Sequence, residues 1–276
     1  MTKRPSNLNS AMVLPPATVL VVGATGSIGR LVVAEALRLG YAVRALIRDE
    51  AKARRVLPPE TQLIVGEVTS QDGLTSAVEA VDAVVFTLGA GSMRGELAEA
   101  VDYGGVRNVL MALGHHKPRI ALMTAIGVTK REDPHLGPLG AHDWKRRSER
   151  LVRASGCVYT IVRPGWFDYN EHDQQRLVLL QGDTRWASDS SDGVVSRQQV
   201  ADVLVHSLST SAAAFKTVEL VAERGHAPQD FNALFAPVIA DPSGAVDAVL
   251  DIDNMPLEKE PTRIRGQLAA MRVAGH

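Results

Sequence analysis

The stretch VLVVGATGSIGR, residues 19–30, sets glycines at 23, 26 and 29 between a short β-branched run and a helix-like segment. Ala17 to Val22 reads as a buried strand, and Gly26 to Leu39 as an amphipathic helix with Ile28, Leu31, Val32, Ala36 and Leu39 on one face and Gly40 as its stop. Each glycine has a mechanical reason. Gly23 permits the tight strand-to-helix turn, Gly26 lets a ligand approach the backbone with no Cβ in the way, and Gly29 lets the helix lie close to the sheet. Amides at a helix start, together with the helix dipole, favour an anion such as a pyrophosphate. Thr25 and Ser27 add hydroxyls to the same turn. A glycine spacing by itself says little; its place between the first strand and the first helix makes it a nucleotide-binding pattern.

Strand-like and helix-like segments alternate outward from this turn. Strands are expected at Tyr41–Arg48, Thr61–Val65, Ala83–Thr87, Arg119–Thr124 and Val158–Val162, and helices at Gly95–Leu113 and Gly140–Ser155. Arg176–Leu180 is strand-like, Arg197–Leu208 helical, and Thr217–Val221 one more strand. Short buried strands joined through helices make an α/β, doubly wound (Rossmann) parallel sheet covered on both faces. Residues 17–276 are expected to form one domain, in which 166–196 and 226–276 supply a small substrate lobe, 226–276 as helices. Residues 1–16, polar and closed by Pro15-Pro16, read as a mobile tail with no secretory core, which points to a cytoplasmic protein.

Composition narrows the chemistry. The 276 residues are 45% hydrophobic and 22% charged, enough to bury a core without staples. Thirty basic against 31 acidic side chains, a net charge of −1, argue against a nucleic-acid partner. The apolar run Ala11–Leu14 is too short to span a membrane. The single Cys157 excludes a disulfide framework and a multi-cysteine metal site, and His115-His116 has no obvious co-ligands, so no metal is expected. A small-molecule substrate is the expected partner, with assembly into a homo-oligomer left open.

The second strand ends in Arg48-Asp49. An acid at that tip would accept from a ribose 2′-hydroxyl, whereas a guanidinium pairs with a 2′-phosphate and stacks on adenine. Arg48 favours NADP(H) over NAD(H), although Asp49 beside it blurs the choice.

The spacing of Gly23, Gly26 and Gly29 resembles that of extended and atypical short-chain dehydrogenase/reductases. VRALIRD (43–49), VGEVT (65–69), VDAVVF (81–86), VDYGGVRN (101–108), MTAIGV (123–128), WKRRSE (144–149), YTIVRPG (159–165) and SRQQVADV (196–203) resemble the NmrA-like NAD(P)H-binding group in the same order. The likeness covers roughly residues 17–222. It implies that Gly23, Thr25, Gly26, Ser27, Ile28 and Gly29 hold the pyrophosphate. It also implies that Glu67 and Val68 lie against adenine, that Leu88, Gly89 and Ala90 lie beside the ribose, and that Pro164, Gly165 and Trp166 lie near the nicotinamide.

The short-chain reductases place a Tyr four residues before a Lys, with a Ser orienting the carbonyl. Lys145 stands at the lysine position, but Ala141 replaces the Tyr, and Thr124 or Ala125 falls at the Ser position. The bland alternative is that Lys145 pairs with Glu149 on a solvated helix face carrying KRRSER. His142, Asp143, Tyr169 and His172 are the substitute acids near the expected cleft mouth, His142 first because it precedes Lys145 by three residues. Because the nicotinamide carries the hard chemistry, a flavin, quinone or conjugated acceptor can take its proton from water. The expectation is therefore an NADPH-dependent oxidoreductase of a small apolar acceptor. The alternative is a non-catalytic NADP(H)-binding redox sensor, and a sugar-nucleotide epimerase is disfavoured by the missing Tyr.

Overall fold

The computed structural model describes residues 12–15, 17–90, 95–132, 140–187 and 189–275. Its sheet contains β1 (Thr18–Val22), β2 (Ala42–Ile47), β3 (Gln62–Val65), β4 (Ala83–Phe86), β5 (Arg119–Met123), β6 (Tyr159–Pro164), β8 (Arg176–Leu180) and β10 (Lys216–Glu223). The order is β3-β2-β1-β4-β5-β6-β10-β8, parallel except for the antiparallel edge strand β8. The strand order reverses between β1 and β4, which run parallel, and the crevice beyond the carboxyl ends of the strands at such a switch point is where ligands bind in open α/β sheets. A minor two-stranded pairing joins β7 (Trp166–Phe167) to β9 (Val194–Val195).

Alternation along β1 shows why both sheet faces are covered. Val19 and Val21 enter one apolar cluster with Val32, Val33 and Ala36 of α1 (Gly29–Arg38) and Val200 and Leu204 of α7 (Arg197–Ser209). Leu20 and Val22 enter the opposite cluster with residues of α3 (Leu74–Val78), α5 (Val106–Leu113), α6 (Ala141–Ala154) and α9 (Thr262–Gly275). All four β1 side chains are fully buried, and each Val or Leu so placed contributes about 1.5–3 kcal/mol. The remaining helices are α2 (Glu50–Val56), α4 (Gly95–Ala98) and α8 (Phe231–Phe235).

Four expectations need correction. Helix α1 begins at Gly29, not Gly26, because the Gly26 amide closes a tight turn onto the Gly23 carbonyl at 3.0 Å. The expected helix 95–113 is interrupted by a π-helical stretch, Glu99–Gly105. Residues 226–275 contain α8 and α9, but the run between them is largely irregular, held by side-chain ion pairs rather than by a periodic apolar face. Val13, placed in the mobile tail, is anchored: its amide donates to Leu208 and its carbonyl accepts from the Tyr41 hydroxyl. Residues 1–11 of that tail lie outside the described residues.

Candidate functional site

The glycine turn is built as the spacing demands. Gly23 has φ +92°, and a Cβ there would sit 2.9 Å from the Thr87 carbonyl oxygen. A Cβ on Gly29 would fall 2.1 Å from the Gly23 carbonyl oxygen, so the close approach is of the helix to the turn itself. At Gly26 a Cβ would meet only the Gly23 oxygen, at 3.1 Å. Gly26 and Ser27 are exposed, Thr25 is half-buried, and Ile28 and Gly29 are buried beneath them. They leave an open strip of backbone at the start of α1, a place that could hold an anion such as a pyrophosphate.

Next to this turn, two loops form the crevice wall, and the interrupted helix pins both. The Asn108 amide donates to the Val68 carbonyl at 2.8 Å. The carboxylate of Asp102, buried in the π-helical stretch, accepts from the Ala90 amide at 3.2 Å. Leu88 and Val68 crowd against Gly105, where a Cβ would lie 2.9 Å from Leu88 Cδ1. At the β2 tip, Arg48 is largely exposed with one guanidinium nitrogen 3.7 Å from Glu67 Oε2. The ambiguity of Asp49 has a structural answer: its carboxylate accepts from the Lys52 amide as the cap of α2.

Beyond the ends of β4, β5 and β6 opens a cavity of about 580 Å³ with mainly apolar walls. Leu88 and Gly89, Met123 to Gly127, and Pro164 to Phe167 line it, with Lys130, His142, Lys145, Arg185, Trp186 and Asp192 at its polar points. Gly165 lets the loop after β6 pass the Gly193 carbonyl, which a Cβ would approach to 2.4 Å. Residues 166–167, 185–186 and 192 contribute walls. No residue of 226–275 is among those lining the cavity; that segment grips α6 from outside.

Lys145 is three-quarters or more buried, and its ammonium lies 3.4 Å from Asp102 Oδ2, not beside Glu149. One carboxylate thus ties the loop after β4 to the lysine at the cavity. Thr124 lines the same cavity, but its hydroxyl donates to Glu149 Oε1 at 2.7 Å, so that proton is already committed. Ala141, where a tyrosine would stand, is buried. His142 Nδ1 is 2.9 Å from the Gly127 carbonyl. A carbonyl only accepts, so this nitrogen carries the proton and Nε2 donates only in the imidazolium form. The other candidate acids fall away. Asp143 is fully buried against Arg131, Tyr169 is exposed against the Trp166 ring, and His172 does not line the cavity. His116 Nε2 contacts the Val81 carbonyl, and no cluster able to hold a metal occurs among the described residues.

The run KRRSER is not a solvated face. Arg146, Arg147 and Arg150 are at most 3% exposed and pair with acids from far along the chain: Arg146 and Arg150 with Asp247, and Arg147 with Glu260. Arg153 reaches Asp241, and Arg163 of β6 bridges Glu149 and Asp251. Burial pushes Glu149 up, yet the Arg163 and Arg153 guanidinia outweigh it and hold the carboxyl below its ordinary value. Burial likewise raises Asp247, but Arg150 and Arg146 bring it down to about 2. Glu219 goes the other way. Burial, opposed by Arg163 and aided by Asp183, pushes it up to about 8. Asp183 accepts from the Gly127 and Thr129 amides at 2.6 and 2.7 Å, so this polar interior also shapes the loop that carries the cavity wall.

Comparison with known proteins agrees with this architecture. The sequence profile of the NAD(P)H-binding family matches residues 23–211. An uncharacterised chloroplastic protein of Arabidopsis thaliana is 26% identical over 257 residues, covering 84% of this chain and 78% of the relative. Sanguinarine reductase of Eschscholzia californica is 25% identical over 266 residues, 80% of this chain and 96% of that one. A short-chain dehydrogenase/reductase of Veillonella parvula, solved in complex with NADP, superposes with a TM-score of 0.56 at 18% identity, over 78% of this chain and 99% of the other. No helix among the described residues is long and apolar enough to cross a membrane. With its glycine turn, its strand order and a family profile running from Gly23 through β6 and α7, this chain belongs to the NAD(P)H-binding family and has the fold of the atypical short-chain dehydrogenase/reductases.

Proposed function

We propose that the protein is an NADPH-dependent reductase of a small, largely apolar electron acceptor such as a quinone, a flavin or an activated carbonyl. The observation that carries this reading is the cavity of about 580 Å³, apolar except at a few points and set beyond the strand ends with Lys145 on its wall. Gly23, Thr25, Gly26, Ser27, Ile28 and Gly29 would receive the pyrophosphate, Glu67 and Val68 the adenine, and Leu88, Gly89 and Ala90 the ribose. Arg48 would take the 2′-phosphate. Pro164, Gly165 and Trp166 would flank the nicotinamide, which supplies the hydride when bound. Lys145, steadied by Asp102, would orient the nicotinamide ribose. The apolar walls exclude water from the transfer and strengthen every polar contact inside.

Ala141 and the committed Thr124 hydroxyl leave no tyrosine–serine pair to protonate an unactivated ketone. An acceptor whose reduced form takes its proton from solvent, or from His142 as imidazolium, suits the site. The same two features favour a second reading, an NADP(H)-binding regulator of NmrA type without turnover. Purified protein, NADPH and a panel of quinones, flavins and aldehydes, followed at the nicotinamide absorbance, separates the two. Turnover of any member supports the reductase, and tight NADPH binding with no turnover across the panel supports the regulator. Arg48→Ala is expected to weaken NADPH about 10-fold and NADH much less, and equal losses would overturn the NADP preference.

A further inference from the structure

The glycine turn supplies amides and a helix dipole to a doubly charged pyrophosphate, but from Gly23 to Gly29 no cationic side chain. One is delivered from 170 residues away. Arg197, the first residue of α7, places its Nε 3.2 Å from the Ser27 hydroxyl. Its guanidinium lies over the face of Phe167, 5.1 Å from the ring centroid, and pairs with the Asp168 carboxylate. Asp168 in turn accepts from the Arg197 amide at 3.0 Å and sits in the left-handed region, φ +60°. A non-glycine residue held at positive φ marks a position that its surroundings overdetermine. Here it fixes one acid against both the backbone and the side chain of one arginine. About a third of the Arg197 side chain stays exposed, and Gly26 and its partner Ser27 are exposed as well.

We infer that Arg197 is a pyrophosphate-binding residue, aimed across the glycine turn by the Asp168 carboxylate and the Phe167 ring. This rests on the dinucleotide reading above and adds the cation that the turn lacks. Because Phe167 also lines the cavity, the arginine sits where the phosphate end and the substrate end of the crevice meet. Arginine suits the position better than lysine would, since a planar guanidinium can stack on a ring while it donates sideways to two oxygens.

The test is calorimetric titration of wild-type and Arg197→Ala protein with NADPH, NADH, ADP-ribose and adenosine 2′-monophosphate. The first three share the pyrophosphate and the last has none. Loss of a charge-assisted contact is expected to weaken NADPH, NADH and ADP-ribose alike, about 10- to 100-fold, and to leave the 2′-monophosphate unchanged. The salt dependence of NADH binding should flatten in the variant. Should Arg197→Ala cost stability, Arg197→Lys serves as the second variant, with a smaller loss of the same uniform pattern. Unchanged NADPH and NADH affinity in a folded Arg197→Ala, or a loss confined to ligands with a 2′-phosphate, overturns the inference. Wild-type protein that binds none of the dinucleotides would overturn the dinucleotide reading as well.

Discussion

Two glycines three residues apart should answer the same substitution in opposite ways. A methyl on Gly29 would sit 2.1 Å from the Gly23 carbonyl oxygen, roughly 1 Å inside any tolerable contact, and both sides of the clash are backbone. The turn must open, at about 1–3 kcal/mol or more, against at most ~1 kcal/mol gained from replacing a helical glycine. At about 2–4 °C per kcal/mol for a domain of this size, Gly29→Ala should melt roughly 3–10 °C lower than wild type. A methyl on Gly26 meets only one oxygen, at 3.1 Å, and otherwise projects into the open strip. Gly26→Ala should therefore melt within about 2 °C of wild type, yet bind NADPH about 10-fold or more weakly, a loss of ~1.4 kcal/mol. Differential scanning fluorimetry without ligand and calorimetric titration with NADPH measure the two effects separately. A Gly26→Ala protein with wild-type affinity would refute the placing of the pyrophosphate on this turn, and a Gly29→Ala protein of wild-type stability would refute the packing argument.

Lys145→Ala should reduce NADPH affinity or kcat by about 10-fold or more. Asp102→Asn should do so to a lesser degree, because the lysine keeps its place but loses its anchor; steady-state kinetics that match wild type in both would make the pair structural. Glu149→Gln leaves Arg163 and Arg153 buried with one carboxylate fewer and should destabilise by about 3–5 kcal/mol, read as a fall in the denaturation midpoint; an unchanged midpoint would show the cluster to be dispensable. Glu219 has a folded pKa near 8 against an ordinary 4.5, so the folded state holds its proton more tightly than the unfolded chain does. Stability from this group is complete below about pH 4.5 and declines as pH rises toward 8. Glu219→Gln should flatten that part of the stability–pH curve, and a profile identical to wild type would contradict the protonated carboxyl.

Much of the architecture was legible because it rests on local patterns. The buried β1 run, the glycine spacing and the alternation of strands with helices are contiguous in the chain, and a doubly wound sheet follows from them. The π-helical stretch left no trace, since apolar spacing over 95–113 reads as ordinary helix whether or not a turn widens in its middle. Asp102 is one of two acids in that stretch, and nothing local says that it, rather than Glu99, faces Ala90 and Lys145. The burial of KRRSER, against the alternative of a solvated face, was hidden for a related reason. Charge predicts exposure unless a partner is known, and the partners Asp247 and Glu260 stand in a segment with no periodicity. Arg197 was hidden likewise, its meaning residing in Ser27 and Asp168, 170 and 29 residues distant.

The pairing of α6 with acids about a hundred residues downstream bears on the order in which the molecule can be completed. At a synthesis rate of about 5–20 residues per second, α6 leaves the ribosome roughly 5–20 s before Asp247 does. Through that interval Arg146, Arg147 and Arg150 have no distal counter-charge and must stay hydrated, so the helix bearing Lys145 cannot settle onto the sheet in its final form. The glycine turn and the first strands can take shape early, while the end of the crevice that carries Lys145 waits on Asp247 and Glu260.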